Sequence, residues 1–323
     1  MSSSIGLVLG AGGVVGQAYH AGTLAALEQT LGWDPRDASI IVGTSAGSVT
    51  ATLLRMGLSA SDMAASATNE APSAEGAELL ERITPDSSTP LPHPSLWELF
   101  RPWRLPTPAL ITRSIRRPLA FRPRVATMTL LPRGMVEIAD RAKHLDSLVG
   151  MAWPDDLWIC VSRRDDGARV VFGRPGSPPS TLASAVLASC AIPAYFAPIS
   201  IGGVEYFDGG VYSPTNADVL RNAGLDKVII VSPMSADIGL VRGPDAMIRW
   251  GAHRRLQREI AHLKESGTEV ISIEPGSRSR SAMGLWPMAE DRSDRVVRAA
   301  FEEASELPVE LRSLGDKTRS GHT

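Results

Sequence analysis

The sequence predicts an α/β fold built on a largely parallel sheet. Short, continuous apolar runs alternate with helical patterns at both ends of the chain, as strands covered on both faces by helices do. The first segments run strand, helix, strand, helix, the order of a βαβ unit. Composition agrees: 43% of the 323 residues are hydrophobic and 21% charged, the usage of an ordinary folded domain. A disordered chain, a collagen-like repeat and a disulfide scaffold are excluded. Length alone, at roughly 150 residues per domain, suggests about two domains.

Taken in order, the predicted strands are Gly6–Leu9, Ser39–Val42, Leu157–Val161, Val170–Phe172, Glu205–Phe207, Lys227–Val231 and Glu269–Ile273. The predicted helices are Gln17–Thr30, Ala46–Met56, Ser59–Thr68, Thr181–Ala188, Asn216–Asn222, Asp245–Glu265 and Ala289–Ser305. The run Arg163-Arg164-Asp165-Asp166-Gly167 reads as a hairpin with Asp-Gly at its turn.

Between about Pro72 and Arg133 the pattern changes. Ten of the 24 prolines fall between Pro85 and Pro132, and no long periodic helix survives there. From Trp97 to Arg133 eight arginines face one acid, Glu98, a local charge of +7 that leaves −9 for the rest of a chain of net charge −2. One reading is a solvated, irregular insertion. A sharper one is a cap whose arginines, with Trp97, Phe100, Trp103 and Phe121, make peripheral contact with an anionic membrane surface. The expected organisation is a single domain over residues 1–310, interrupted by an insertion or cap at about 72–133 and followed by a polar tail at 311–323.

Near-neutral charge and the lack of a basic motif argue against a nucleic-acid partner. Cys160 and Cys190 form no disulfide framework and have no neighbours at metal-ligand spacing. The start, MSSSIGLVLGAGG, lacks the basic and continuous apolar regions of a signal peptide. The apolar run Ala183–Ile201 is broken by Pro193 and Pro198, so no membrane span is expected. The expectation is a cytoplasmic protein that visits a membrane surface through residues 97–133.

Three segments carry chemistry. Gly43-Thr44-Ser45-Ala46-Gly47 lies between an apolar strand and a helical pattern, the Gly-x-Ser-x-Gly arrangement of a nucleophile elbow. So tight a turn needs small neighbours and lifts the Ser45 hydroxyl over the next helix N-terminus, with the Ala46 N–H available to a developing oxyanion. Gly10-Ala11-Gly12-Gly13-Val14-Val15-Gly16 follows the first strand. Gly10, Gly12 and Gly16 allow a dinucleotide-binding loop, and with it an NAD(P)-dependent oxidoreductase. Alternatively, the Gly12 and Gly13 N–H groups form an oxyanion hole. The next strand ends in Gly-Thr-Ser-Ala-Gly rather than in the acid a ribose requires, which favours the oxyanion reading. Asp208-Gly209-Gly210 follows an apolar strand; it is either a turn or an acid able to serve as base to a serine.

Together, these segments resemble the patatin-like phospholipase family, whose pattern is a glycine-rich oxyanion loop, Gly-x-Ser-x-Gly, and Asp-Gly-Gly or Asp-Gly-Ala. Ala188-Ser189-Cys190-Ala191-Ile192-Pro193, with Phe196 and Pro198, looks like the block that precedes the Asp-Gly-Gly strand in that family. The resemblance implies a three-layer α/β/α fold and a Ser–Asp dyad, with Ser45 as nucleophile and Asp208 as base. It further implies lipid acyl esters as substrates, with no metal and no cofactor. Two positions depart from the family pattern: Val15 stands where a basic residue is common, and Ala11 replaces a glycine.

A Ser-His-Asp triad would need a histidine. His253 and His262 follow Asp208 in an arginine-rich helical stretch where an exposed-face histidine is ordinary, and His20 reads as a packing residue of the first helix. A non-catalytic protein that binds membrane lipid is the remaining reading.

Overall fold

The computed structural model describes residues 4–83, 103–116, 122–134, 136, 152–237, 243 and 245–306. Trp97, Phe100, Phe121 and the 311–323 tail lie outside them. Eight strands form one sheet: β1 (Ile5–Leu9), β2 (Ile40–Thr44), β3 (Leu157–Arg163), β4 (Arg169–Phe172), β5 (Ile199–Ile201), β6 (Val204–Asp208), β7 (Lys227–Val231) and β8 (Glu269–Ile273). Strands β3, β2, β1, β7 and β8 lie side by side in parallel, while β4 and β6 pair antiparallel with β3, and β5 pairs antiparallel with β6 at the edge.

The helices are α1 (Gly13–Leu31), α2 (Ala46–Arg55), α3 (Ala60–Ala67), α4 (Ala74–Ile83), α5 (Pro108–Arg116), α6 (Pro123–Leu130), α7 (Leu182–Cys190), α8 (Ala246–Lys264), α9 (Ser277–Met283) and α10 (Ser293–Ser305). Side chains alternate across a strand, and here both faces are apolar. Leu7, Leu9, Ile41, Ile159, Ile229 and Val231 pack with α1, α2, α3, α7 and α10. Their neighbours Val8, Val42, Trp158, Val228 and Ile230 pack with Leu256, Ile260 and Leu263 of α8. This is the expected α/β/α sandwich. The uninterrupted apolar runs in β1 and β7 follow from burial on both sides.

Several local expectations change. α1 begins at Gly13 rather than Gln17, directly out of the glycine loop. Asn216–Asn222 is not an α-helix but a short 3-10 turn, Ala217–Leu220, entered through a left-handed Asn216. Strand β5 is unanticipated, being three residues between Pro198 and the Gly202-Gly203 turn. α4, α5 and α6 are short helices in the proline-rich part, where Pro108 and Pro123 open α5 and α6, a position at which a missing N–H costs nothing. The Asp-Gly hairpin joins β3 to β4 as expected, with Gly167 at φ +69°.

Three of the insertion arginines form ion pairs with the sheet and its hairpin. Arg104 and Arg133 pair with Glu205, and Arg113 pairs with Asp166. These charges anchor the segment to β6 and the β3–β4 hairpin.

Candidate active site

Strand β3 brings the site together without contributing a side chain to its cavity. Its Ile159–Ser162 stretch pairs with β4 along one edge. On the other edge β2 pairs with Leu157–Cys160, ending with Thr44 opposite Cys160, and β6 takes over at Val161, opposite Asp208. Because β2 runs parallel to β3 and β6 antiparallel, the C-terminal ends of β2 and β6 meet head to head. Ser45 follows the end of one; Asp208 is the end of the other.

The elbow at Ser45 is strained. Its φ of +53° and ψ of −123° lie where side chains other than glycine are rare, at a cost of about 1–3 kcal/mol. Close packing maintains it. A Cβ on Gly47 would lie 2.0 Å from the Leu9 carbonyl oxygen, and one on Gly43 would lie 2.5 Å from the Ser48 Cα. The Ser45 N–H donates to Ser189 Oγ (2.8 Å), whose own hydroxyl donates to the Cys160 carbonyl (2.8 Å). Ser189 therefore clamps the elbow to β3. Ser48 adds a hydroxyl bond to the Ser45 carbonyl at 2.7 Å.

Asp208 is almost fully buried. Burial pushes its carboxyl up to about 6, against the lowering effect of hydrogen bonds from the Ser45 hydroxyl and the Gly210 N–H. The Gly210 bond measures 2.6 Å, and Asp208 N–H donates to the Ala191 carbonyl at 2.9 Å. A carboxylate raised this far is a better proton acceptor, yet still ionised near neutrality.

The glycine loop faces the pair. Gly10 N–H and Ala11 N–H are bound to the carbonyls of Val231 and Pro214 (2.9 and 2.8 Å), fixing the strand exit. Gly13 sits at φ +64°, with no room for a Cβ beside the Pro287 carbonyl. Among the described residues, the N–H groups of Gly12, Gly13 and Ala46 donate to no protein acceptor. Gly13 and Ala46 open α1 and α2, so two helix N-termini, with their partial positive charge, converge on the site. Val15, where the family pattern has a basic residue, is buried in the core against α1's neighbours.

Ser45, Asp208, Gly12 and Gly13 share a cavity of about 770 Å³. α6 supplies Val125 and Met128 to its wall, and α8 supplies Ile248, Arg255 and Arg258. No histidine lines it among the described residues. His253 is bound to Glu274 at 2.9 Å, His262 is exposed on α8, and His20 is buried beside Thr50, where desolvation holds it neutral with a pKa of about 3.

One organising residue escaped sequence reasoning. Glu259 of α8 is buried and accepts from Ser213 Oγ (2.6 Å), Thr215 Oγ1 (2.6 Å), Ala217 N–H (2.9 Å) and Arg255 Nε (3.0 Å). It holds the 213–217 loop, which carries the Pro214 carbonyl that binds the Ala11 N–H. Asn216 Nδ2 extends the lattice to the carbonyls of Ser213 and Gly209 and to Thr44 Oγ1.

A family model described as "Patatin-like phospholipase" matches residues 7–221, about two thirds of the chain. The chain belongs to the patatin-like phospholipase family. The match takes in the glycine loop, the Ser45 elbow and the Asp208 turn, and ends before β7. As a patatin-like phospholipase domain, the chain is in general terms a lipid acyl hydrolase. No curated protein matches it in sequence. Among solved structures, the crystal structure of VipD from Legionella pneumophila is similar over 97% of this chain and 67% of that one, with 13% identity and a TM-score of 0.44. No described helix is long and apolar enough to cross a membrane.

Proposed function

We propose that this patatin-like domain cleaves carboxylic esters of lipids, as a phospholipase, lysophospholipase or esterase, with Ser45 as nucleophile and Asp208 as its base. The observation that carries the reading is the buried Asp208 carboxyl, raised to about 6 and hydrogen-bonded by the Ser45 hydroxyl at the head-to-head junction of β2 and β6. Asp208 takes the Ser45 proton as the hydroxyl attacks the ester carbonyl. The N–H groups of Gly12, Gly13 and Ala46 receive the oxyanion. The alcohol leaves with the proton held by Asp208, giving an acyl-Ser45, and a water activated by Asp208 hydrolyses it to the acid and free enzyme. Every proton in this cycle moves through one carboxylate, and each group belongs to this chain. Family membership favours this use of the Gly10–Gly16 loop over dinucleotide binding.

The segment at 72–133 serves as the cap of a single domain spanning residues 1–310, with 311–323 as a tail. The exposed Trp103, Leu105, Ile111 and Ile115 support peripheral contact of that cap with a membrane surface. The test is Ser45→Ala. Turnover of p-nitrophenyl butyrate and fluorophosphonate labelling should both disappear while the circular dichroism spectrum is retained. Persistent turnover in that variant refutes the assignment.

A further inference from the structure

Three arginines surround the Tyr212 ring beside the dyad's cavity, and a fourth lines that cavity. The Arg122 guanidinium lies 3.8 Å from the Tyr212 ring centroid, Arg169 at 4.7 Å and Arg255 at 5.7 Å. Arg258, exposed on α8, lines the same cavity as Arg122 and Arg255. Two carboxylates answer them: Asp218 pairs with Arg169 (2.5 Å) and Glu259 with Arg255 (3.0 Å). Among the described residues, neither Arg122 nor Arg258 has a carboxylate within ion-pair distance. Arg122 instead donates to the Tyr212 carbonyl at 3.1 Å. Like charges are thus held together in a partly desolvated wall, and the charge on Arg122 is opposed first by burial and then by Arg255.

Resting on the hydrolase reading above, we propose that Arg122, Arg255 and Arg258 form a subsite for the phosphate of an anionic lipid headgroup, so that the enzyme prefers ester lipids of net negative charge to zwitterionic ones. Guanidinium forks match phosphate oxygens in pairs of parallel hydrogen bonds, and an anion here relieves the repulsion among the arginines. A zwitterionic headgroup finds no counterpart. The only carboxyl among the described lining residues is Asp208, and the Tyr212 ring, which could otherwise hold a quaternary ammonium, is already covered by guanidinium groups.

The experiment compares dihexanoyl phosphatidic acid with dihexanoyl phosphatidylcholine, both as monomers so that no membrane surface contributes, and uses p-nitrophenyl butyrate as the uncharged ester. The parent protein should show a kcat/KM ratio of about tenfold or more in favour of the anionic lipid. That ratio should fall towards one in Arg258→Gln and further in Arg122→Gln/Arg258→Gln, with circular dichroism establishing that each variant is folded. Arg258 is exposed, so its replacement leaves nothing buried without a partner. A ratio near one in the parent, or one unchanged by both variants, overturns the subsite. Inorganic phosphate that alters butyrate turnover while the lipid ratio stays at one also overturns it, by identifying a free anion as the ligand. Absence of Ser45-dependent butyrate turnover would instead refute the hydrolase reading itself.

Discussion

Replacing Asp208 by Asn should stop turnover and, at neutral pH, make the protein more stable. The carboxyl titrates at about 6 in the fold against 3.8 when solvated, burial being the first cause. Below the lower value both folded and unfolded chains are protonated, and the stability associated with the neutral group is fully present. As pH rises from about 4 to 6, the unfolded chain releases a proton that the folded one retains, so this stability is progressively lost. Above 6 the fold carries the buried charge at its full cost. At about 1.4 kcal/mol per factor of ten, the difference between the two values amounts to on the order of 3 kcal/mol. Asn preserves the acceptor for the Gly210 N–H but never ionises. Urea titrations followed by tryptophan fluorescence should therefore place Asp208→Asn above the parent by up to about 3 kcal/mol at pH 8, with the gap nearly closed at pH 4. In parallel, the parent's kcat/KM should fall about tenfold per pH unit below 6. An Asn variant no more stable than the parent at pH 8, or a stability gap independent of pH, would refute the account of Asp208 as a carboxyl destabilised by burial.

Ser189→Ala removes the acceptor of the Ser45 N–H and the donor to Cys160, leaving two buried backbone groups unmatched; a loss of about 2 kcal/mol in denaturant titration is expected, with a lower kcat from a slackened elbow. Glu259→Gln cannot satisfy two hydroxyls, an amide and a guanidinium together, so stability should drop by on the order of 2 kcal/mol and turnover should slow as the 213–217 loop loosens its hold on Ala11; a variant of unchanged stability would contradict this. His253→Ala and His262→Ala should keep kcat/KM within about twofold of the parent, because neither ring comes within reach of Ser45; a pH profile abolished by either change would restore a histidine base.

The sheet was legible because its strands are buried on both faces, which turns β1, β2, β3 and β7 into unbroken apolar runs. Ser45 was legible for a steric reason: only a few small residues fit where the elbow passes Leu9 and Ser48. Asp208 was harder, since Asp-Gly also marks ordinary turns such as Asp166-Gly167; the sequence contains no local sign that its strand ends against β2. β5 was hidden by its three-residue length. Glu259 was missed because its partners lie far away in sequence: a buried carboxylate within Arg254-Arg255-Leu256-Gln257-Arg258-Glu259 looks like one more charge on a solvated helix. Ser189 was legible only as part of the family-like block at 188–193, and its bonds to Ser45 and Cys160 were not. The insertion arginines were read by net charge, which does not show that three of them pair with Glu205 and Asp166.

The junction of β2 and β6 on one edge of β3 separates the geometry of the site from the length of the chain around it. The spacing between Ser45 and Asp208 is measured out by consecutive residues, Cys160 and Val161, of a strand that contributes no side chain to the cavity. The long stretch of chain between β2 and β3 does not enter that measurement. Beyond the elbow and α2, the length of that stretch can change while Ser45 and Asp208 keep their places, since a longer loop adds only slowly to the entropy of closure. A one-residue slip in β3 has the opposite character: it leaves composition and length almost untouched and turns one half of the pair to the wrong face of the sheet. Tolerance to change in this molecule is therefore set by register, and the least chemically equipped strand is the one that admits the least variation.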